Sequence, residues 1–192
     1  MKIKRRFFQR KSQNQDSNDN EKSPLEKDTF HDSKIQNDDE PQEMKLHSIQ
    51  EAIQDIKNGK IIIVVDDENR ENEGDFVMAA EKITPEAINF MATYGKGLIC
   101  TPMSEELSQH FELPLQSSQS STPFKTAFTI TIDAKNKIST GISALDRSHT
   151  IKLLTEESSR KEDFVSPGHI FPLISRPRGV FERPGHTEAS VD

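Results

Sequence analysis

The chain has 192 residues, with 32 acidic against 25 basic side chains and a net charge of −7. That balance argues against a nucleic-acid groove as its main surface, because neutralising phosphates takes clustered Lys and Arg. The single cysteine, Cys100, excludes an internal disulfide framework and fits a reducing, cytoplasmic compartment, and no apolar run approaches membrane-spanning length, so no membrane partner is expected.

Residues 1–45 are dominated by Lys, Gln, Asn, Asp, Ser and Glu, too polar to offset chain entropy by burial, and are expected to form a disordered polar extension. Their opening "MKIKRRFFQRK" is basic, but Asp16, Asp19, Glu21, Glu26 and Asp28 follow, and acidic residues are scarce in transit peptides. Residues 46–192 are long enough for one buried core. Ser48 and Glu51 make a capping box for a helix carrying Ile49, Ala52, Ile53 and Ile56, ended at Asn58-Gly59. "KIIIVV" predicts a strand buried on both faces, and "DFVMAA" a second strand. Thr84-Pro85 opens a helix, "GLICT" is a third strand, and "SEELSQHF" is a short helix. "LPLQSSQSSTPFK" reads as a surface loop, "TAFTITIDAKNKIST" as a strand turning at Asp133–Asn136, and "SALDRSHTIKLLTEES" as a helix. "PGHIFPLIS" and "RGVFER" are short strand candidates, and "GHTEASVD" is a helix start. The irregular alternation predicts an α/β (α+β) single domain, a mixed sheet flanked by helices.

Chemistry concentrates in two places. "VVDDENRENEGDFVMAA" sets six carboxylates and Arg70 between two apolar runs, where the plain alternative is a solvated connection. An EF-hand register with Gly74 at the sixth position puts Ala80 where a bidentate Glu is needed, which rules out that calcium loop. Hard carboxylates with an open coordination position suit Mg²⁺ or Mn²⁺. In "RPGHTEAS", Arg183, the Thr187 hydroxyl and free backbone N–H groups at a helix start are candidates to converge on a phosphate, with His186 serving that site or a metal. On residue chemistry alone, two readings stand: a Mg²⁺-dependent enzyme acting on a small phosphorylated substrate, and a metal-free binding protein with an acidic face.

"DDENRENEGDF", "TGISALDR", "PGHIFPL" and "RPGHTEASVD", in this order and spacing, resemble the 3,4-dihydroxy-2-butanone 4-phosphate synthase family of riboflavin biosynthesis from about His47 to Asp192. The resemblance implies conversion of D-ribulose 5-phosphate to L-3,4-dihydroxy-2-butanone 4-phosphate and formate by a Mg²⁺- or Mn²⁺-dependent homodimer. Carried over by motif, Glu71 and His186 match the metal positions, and Arg70, Glu71 and Asp75 match substrate contacts, Asp75 also counting as catalytic. Arg183, Pro184, Gly185, His186 and Thr187 match the phosphate-side contacts, and His169 matches a position essential for catalysis. Cys100 and Thr140 fall where the family lines its pocket.

The sequence departs from the family pattern at Ser166, where Arg is common, and at Arg178-Gly179, where a Gly pair is favoured. Family chains also continue past "GHTEASVD" to another essential glutamate and a stretch that completes the sheet, so a C-terminally incomplete domain is expected. An inactive remnant that only binds metal or sugar phosphate, or only dimerises, is the alternative reading. A following GTP cyclohydrolase II domain, often fused to this family, is left open.

Overall fold

The computed structural model describes residues 2–4, 46–117 and 123–192. The rest of the extension expected over residues 1–45, and the middle of the Ser/Gln loop, lie outside the described residues.

The first element is β1 (Lys2–Lys4). α1 (Ile49–Lys57) carries the predicted capping box: Ser48 Oγ accepts the Glu51 N–H at 3.3 Å and Glu51 Oε2 accepts the Ser48 N–H at 3.0 Å. Such a cap satisfies donors that a helix start leaves open and contributes about 1 kcal/mol. β2 (Ile62–Val65) and β3 (Gly74–Val77) form an antiparallel hairpin around the acidic loop, with Val64 opposite Asp75 and Val65 opposite Gly74. β1 pairs with the other edge of β2, Ile3 opposite Val64, so three positions of the expected tail belong to a sheet. The open backbone groups of an edge strand are what such a segment can pair with. β2 is not buried on both faces as expected: Ile62 and Val64 are buried, while Ile63 and Val65 are half-buried. An antiparallel hairpin turns one face to the core, and the period of two follows.

α2 (Pro85–Phe90) starts where predicted, with Thr84 Oγ1 accepting the Ala87 N–H at 3.1 Å. β4 (Cys100–Met103), α3 (Glu105–His110), β5 (Ala127–Phe128), β6 (Ile132–Ala134), α4 (Ala144–Leu153), β7 (Phe164–Ile174) and α5 (His186–Val191) complete the order. The strand expected over "TAFTITIDAKNKIST" is therefore interrupted between β5 and β6, and "PGHIFPLIS" lies inside a longer strand. "RGVFER" is not a strand but a 3₁₀ turn, Gly179–Phe181, with the Phe181 side chain in solvent.

β7 is the spine of a mixed sheet, parallel to β4 with Cys100 opposite Phe171, and antiparallel to β5 and β6. The strands thus divide between this mixed sheet and the antiparallel β1-β2-β3 sheet, with helices alongside. Ile83, Ile88, Ile99, Met103, Phe111, Ile132, Ile151 and Ile170 form the larger core cluster; Ala52, Ile62 and Val64 form a smaller one beneath the acidic hairpin. Each large aliphatic side chain so buried contributes about 1.5–3 kcal/mol. Among the described residues, no helix is long and apolar enough to cross a membrane.

Two features of this frame place chemistry. The hairpin register holds Asp66 and Asp75 at the rim of the small core. A bulge between Ile132 and Asp133 in β6 lets Gly168 of β7 approach so closely that a Cβ there would collide with the Ile132–Asp133 backbone.

Candidate active site

The acidic loop is organised by Asp66, which continues β2 and is buried. Its Oδ1 accepts the Glu73 N–H at 2.9 Å, and its Oδ2 accepts the Glu71 N–H at 3.0 Å and Arg70 Nη1 at 2.7 Å. Burial by itself would raise the Asp66 carboxyl. The bonds from Glu73, Arg70 and Glu71, helped by the charge of His186, prevail and bring it to about 2, so it is ionised at neutral pH. Asn72 takes a left-handed conformation at φ 53°, which turns the chain so that Glu71 and Glu73 both present their N–H groups to Asp66.

Arg70 Nη1 also donates to Glu71 Oε2 at 2.6 Å, and the guanidinium lies 4.8 Å from the Phe124 ring centroid. His186, at the first position of α5, brings the distant motif into this loop. Its Nδ1 is 3.6 Å from Glu71 Oε2 and 3.8 Å from Asp75 Oδ2, while its Nε2 is buried without a hydrogen-bond partner among the described residues. Ligand atoms of Asp66, Glu71 and His186 lie within 4.8 Å of one another. Carboxylate oxygens with one imidazole nitrogen fit a small, hard-to-borderline divalent cation, and the orphaned ring nitrogen agrees with a site built to hold something more. Because Asp66 already takes three hydrogen bonds that shape the loop, Glu71 and His186 are the freer donors.

Arg183, just ahead of α5, is tied down by three partners. Its Nη1 donates to the buried Glu188 at 2.6 Å, its Nη2 to Thr126 Oγ1 at 3.1 Å and its Nε to the Phe124 carbonyl at 3.0 Å. A Cβ on Gly185 would stand 2.5 Å from Arg183 Nη1 and 3.0 Å from Arg70 Nη2, so the two guanidinium groups converge on that glycine. Thr187 and His186 are buried beside it, while Pro184 stays exposed. Asp75, Cys100, His186 and Thr187 line the polar end of a cavity of about 520 Å³, whose apolar walls include Met78, Ile88, Ile99 and Leu173. Burial pushes the Cys100 thiol up to about 11, with the Asp75 charge adding to it, so it stands there as a neutral thiol.

His169 is held elsewhere. Its backbone N–H donates to Asp133 Oδ1 at 2.9 Å and its Nδ1 lies 2.7 Å from Asp133 Oδ2. An ionised carboxylate only accepts, which makes Nδ1 the donor and leaves Nε2 able to take or give a proton at a partly exposed ring. Among the described residues, no hydrogen bond or ion pair joins this pair to the acidic cluster.

The structure therefore brings Arg70, Glu71, Asp75, Arg183, Gly185, His186 and Thr187 to one place and sets His169 in a second. Thr140 lies in the exposed loop beside His169. Three residues that sequence reasoning passed over complete the picture: Asp66, Asp133 and Glu188. Asp66 and Glu188 lie inside the quoted motifs as further carboxylates, while Asp133, in "TITIDAK", carried no motif signal.

The model of the 3,4-dihydroxy-2-butanone 4-phosphate synthase family matches residues 50–192. A riboflavin biosynthesis protein RibBA from Aquifex aeolicus is 55% identical over 155 residues, covering 80% of this chain and 38% of the relative. The chain thus spans about two fifths of that relative's length. A crystal structure of 3,4-dihydroxy-2-butanone 4-phosphate synthase in complex with two magnesium ions superposes with a TM-score of 0.74 at 40% identity, covering 75% of this chain and 67% of that one. The two-domain 3,4-dihydroxy-2-butanone 4-phosphate synthase RibBX from A. baumannii gives 0.70 at 45% identity, with 73% and 41% covered.

Proposed function

This chain belongs to the 3,4-dihydroxy-2-butanone 4-phosphate synthase family, and we propose that it converts D-ribulose 5-phosphate to L-3,4-dihydroxy-2-butanone 4-phosphate and formate with the help of Mg²⁺ or Mn²⁺. The observation that carries this reading is the convergence of Glu71 and Asp75 on His186, with the Arg70 and Arg183 guanidinium groups meeting at the adjacent Gly185, where Asp75, His186 and Thr187 also line a cavity.

Glu71 and His186 would hold the cation, which when bound supplies a Lewis acid that lowers the cost of proton loss beside the sugar carbonyl. That a relative of this fold was crystallised with two magnesium ions supports the assignment. Arg183 and Thr187, with Gly185 letting the guanidinium groups come close to the backbone, receive the phosphate, a group matched by the fork of an arginine and by hydroxyl and backbone donors. Glu188 fixes Arg183 from behind, and Phe124 lies against Arg70 while its carbonyl takes Arg183 Nε. Asp75, half exposed at the cavity mouth, removes a proton from the sugar carbon chain. His169 Nε2 carries protons in the dehydration and rearrangement that end in release of one carbon as formate, with Asp133 keeping its other nitrogen protonated.

The working form is a homodimer. Ile142, Leu145 and Val165 are exposed around the Asp133–His169 pair, and a second copy would cover them. Incubating the protein with carbon-labelled ribulose 5-phosphate and Mg²⁺ and following the label by NMR tests the chemistry. Appearance of equal amounts of formate and a four-carbon phosphate is the expected result; an unchanged pentose spectrum would reject it.

A further inference from the structure

We infer that Asp146 is a positioning residue for the His169–Asp133 pair, acting from α4 through the backbone of Gly141. This rests on the reading of His169 as the proton-transfer group proposed above.

Asp146 lies in the first turn of α4, is buried, and uses its whole carboxylate on the loop that precedes the helix. Oδ1 accepts the Ser139 N–H at 3.2 Å, and Oδ2 accepts Ser139 Oγ at 2.7 Å and the Gly141 N–H at 3.0 Å. Its own N–H is capped by Ser143 Oγ at 3.0 Å. These bonds hold the Asp146 carboxyl low despite burial, the Ser139 hydroxyl being the strongest cause, so the anchor is ionised at neutral pH. A buried carboxylate with three donors is expensive to disturb, because each donor released would be left without a partner.

That loop grips the pair. Gly141 adopts φ +90°, a conformation L side chains rarely adopt, and sits so tightly on the pair that a Cβ would collide with Asp133 and stand 2.7 Å from His169 Nδ1. Only a bare Cα fits over the Asp133–His169 hydrogen bond, and there it shields the bond from water. One turn further along α4, Thr150 is fully buried. Its Oγ1 accepts the N–H of Ala134, next to Asp133, at 2.9 Å and donates to the Asp146 carbonyl at 3.1 Å. Asp146 and Thr150, i and i+4 on one face, therefore secure both sides of the pair: the loop above it and strand β6 beneath it. The arrangement is that of a second tier, in which the group in contact with His169 is itself set by a buried acceptor.

The test reads the His169 ring directly. Nitrogen-detected NMR of the imidazole in the full chain shows which ring nitrogen carries the proton, independently of turnover. The wild type should hold it on Nδ1 with slow solvent exchange. Asp146→Asn, which keeps the size but loses acceptor capacity, and Thr150→Val, which cuts the tie to β6, should each give a mixture of tautomers with faster exchange. Turnover should fall about tenfold or more while KM stays within about twofold, the signature of a lost transition-state contribution. Lys152→Ala, exposed on the same helix, should leave ring and rate unchanged. If Asp146→Asn does not fold, Ser139→Ala, which removes the hydroxyl bound to Asp146 Oδ2 and should loosen the same loop, decides the matter. Folded variants that keep a single, slowly exchanging Nδ1 proton overturn the inference. A wild type that makes no formate would instead overturn the sugar-phosphate reading, and the ring spectrum would still answer for Asp146.

Discussion

The Arg70 guanidinium lies 2.7 Å from the fully buried carboxylate of Asp66, which also takes two backbone N–H groups from the loop it closes. Removing Asp66 leaves Arg70 its Glu71 partner but strands the Glu71 and Glu73 N–H groups, so Asp66→Ala should lower folding stability by about 2–4 kcal/mol. Because the folded Asp66 carboxyl sits near 2 against an ordinary 3.8, its contribution is complete above about pH 4 and is lost as pH falls toward 2. Thermal melts across that window should show a steeper acid loss for the wild type than for Asp66→Asn. Parallel curves would contradict the role given to this residue.

Metal binding should separate the two halves of the chemistry. Glu71→Gln and His186→Ala should each weaken Mn²⁺ binding by about tenfold or more in a calorimetric titration, whereas His169→Ala should leave it within about twofold. Equal losses in all three variants would favour a generic acidic binding module.

Cys100 is expected to be inert. With its thiol held near 11, first by burial and then by the Asp75 charge, alkylation by iodoacetamide at neutral pH should be far slower than for a free cysteine. Asp75→Asn should speed it modestly by lowering the thiol. Rapid labelling of the native wild type at neutral pH would show that the cavity wall is built differently.

Gly168 is demanded by proximity. Its Cα passes against the Ile132–Asp133 backbone at the β6 bulge, where neither chain can yield as a flexible side chain would. Gly168→Ala should cost about 3 kcal/mol or more in a denaturant titration and displace Asp133 from His169. A loss under about 1 kcal/mol would mean that the two strands part more easily than their contact implies.

Local signals were the ones readable in the sequence. Ser48 with Glu51, and Thr84 with Pro85, mark helix starts because the cap and its donors lie within one turn, and the structure keeps both. The resemblance carried by the four motifs singled out Glu71 and His186, and the structure sets the two beside each other, together with Asp66. Contacts across long separations were not readable. Asp133 looks like a turn residue in "TITIDAK" until β7 folds back and sets His169 beside it, 36 positions away. "RGVFER" resembles a strand, but Gly179 at φ +54° starts a turn and Asp192 Oδ2 caps it by accepting the Val180 N–H, a partner 12 positions off. "KIIIVV" hides which face is buried because the five residues after Lys60 are all apolar; only the hairpin partner reveals the alternation.

Formate release from ribulose 5-phosphate by the purified protein, measured before and after EDTA and again after Mg²⁺ is restored, bears most directly on the whole account. Release that stops with the chelator and returns with the metal is the predicted result. Release that ignores EDTA, or none with saturating Mg²⁺, would contradict it.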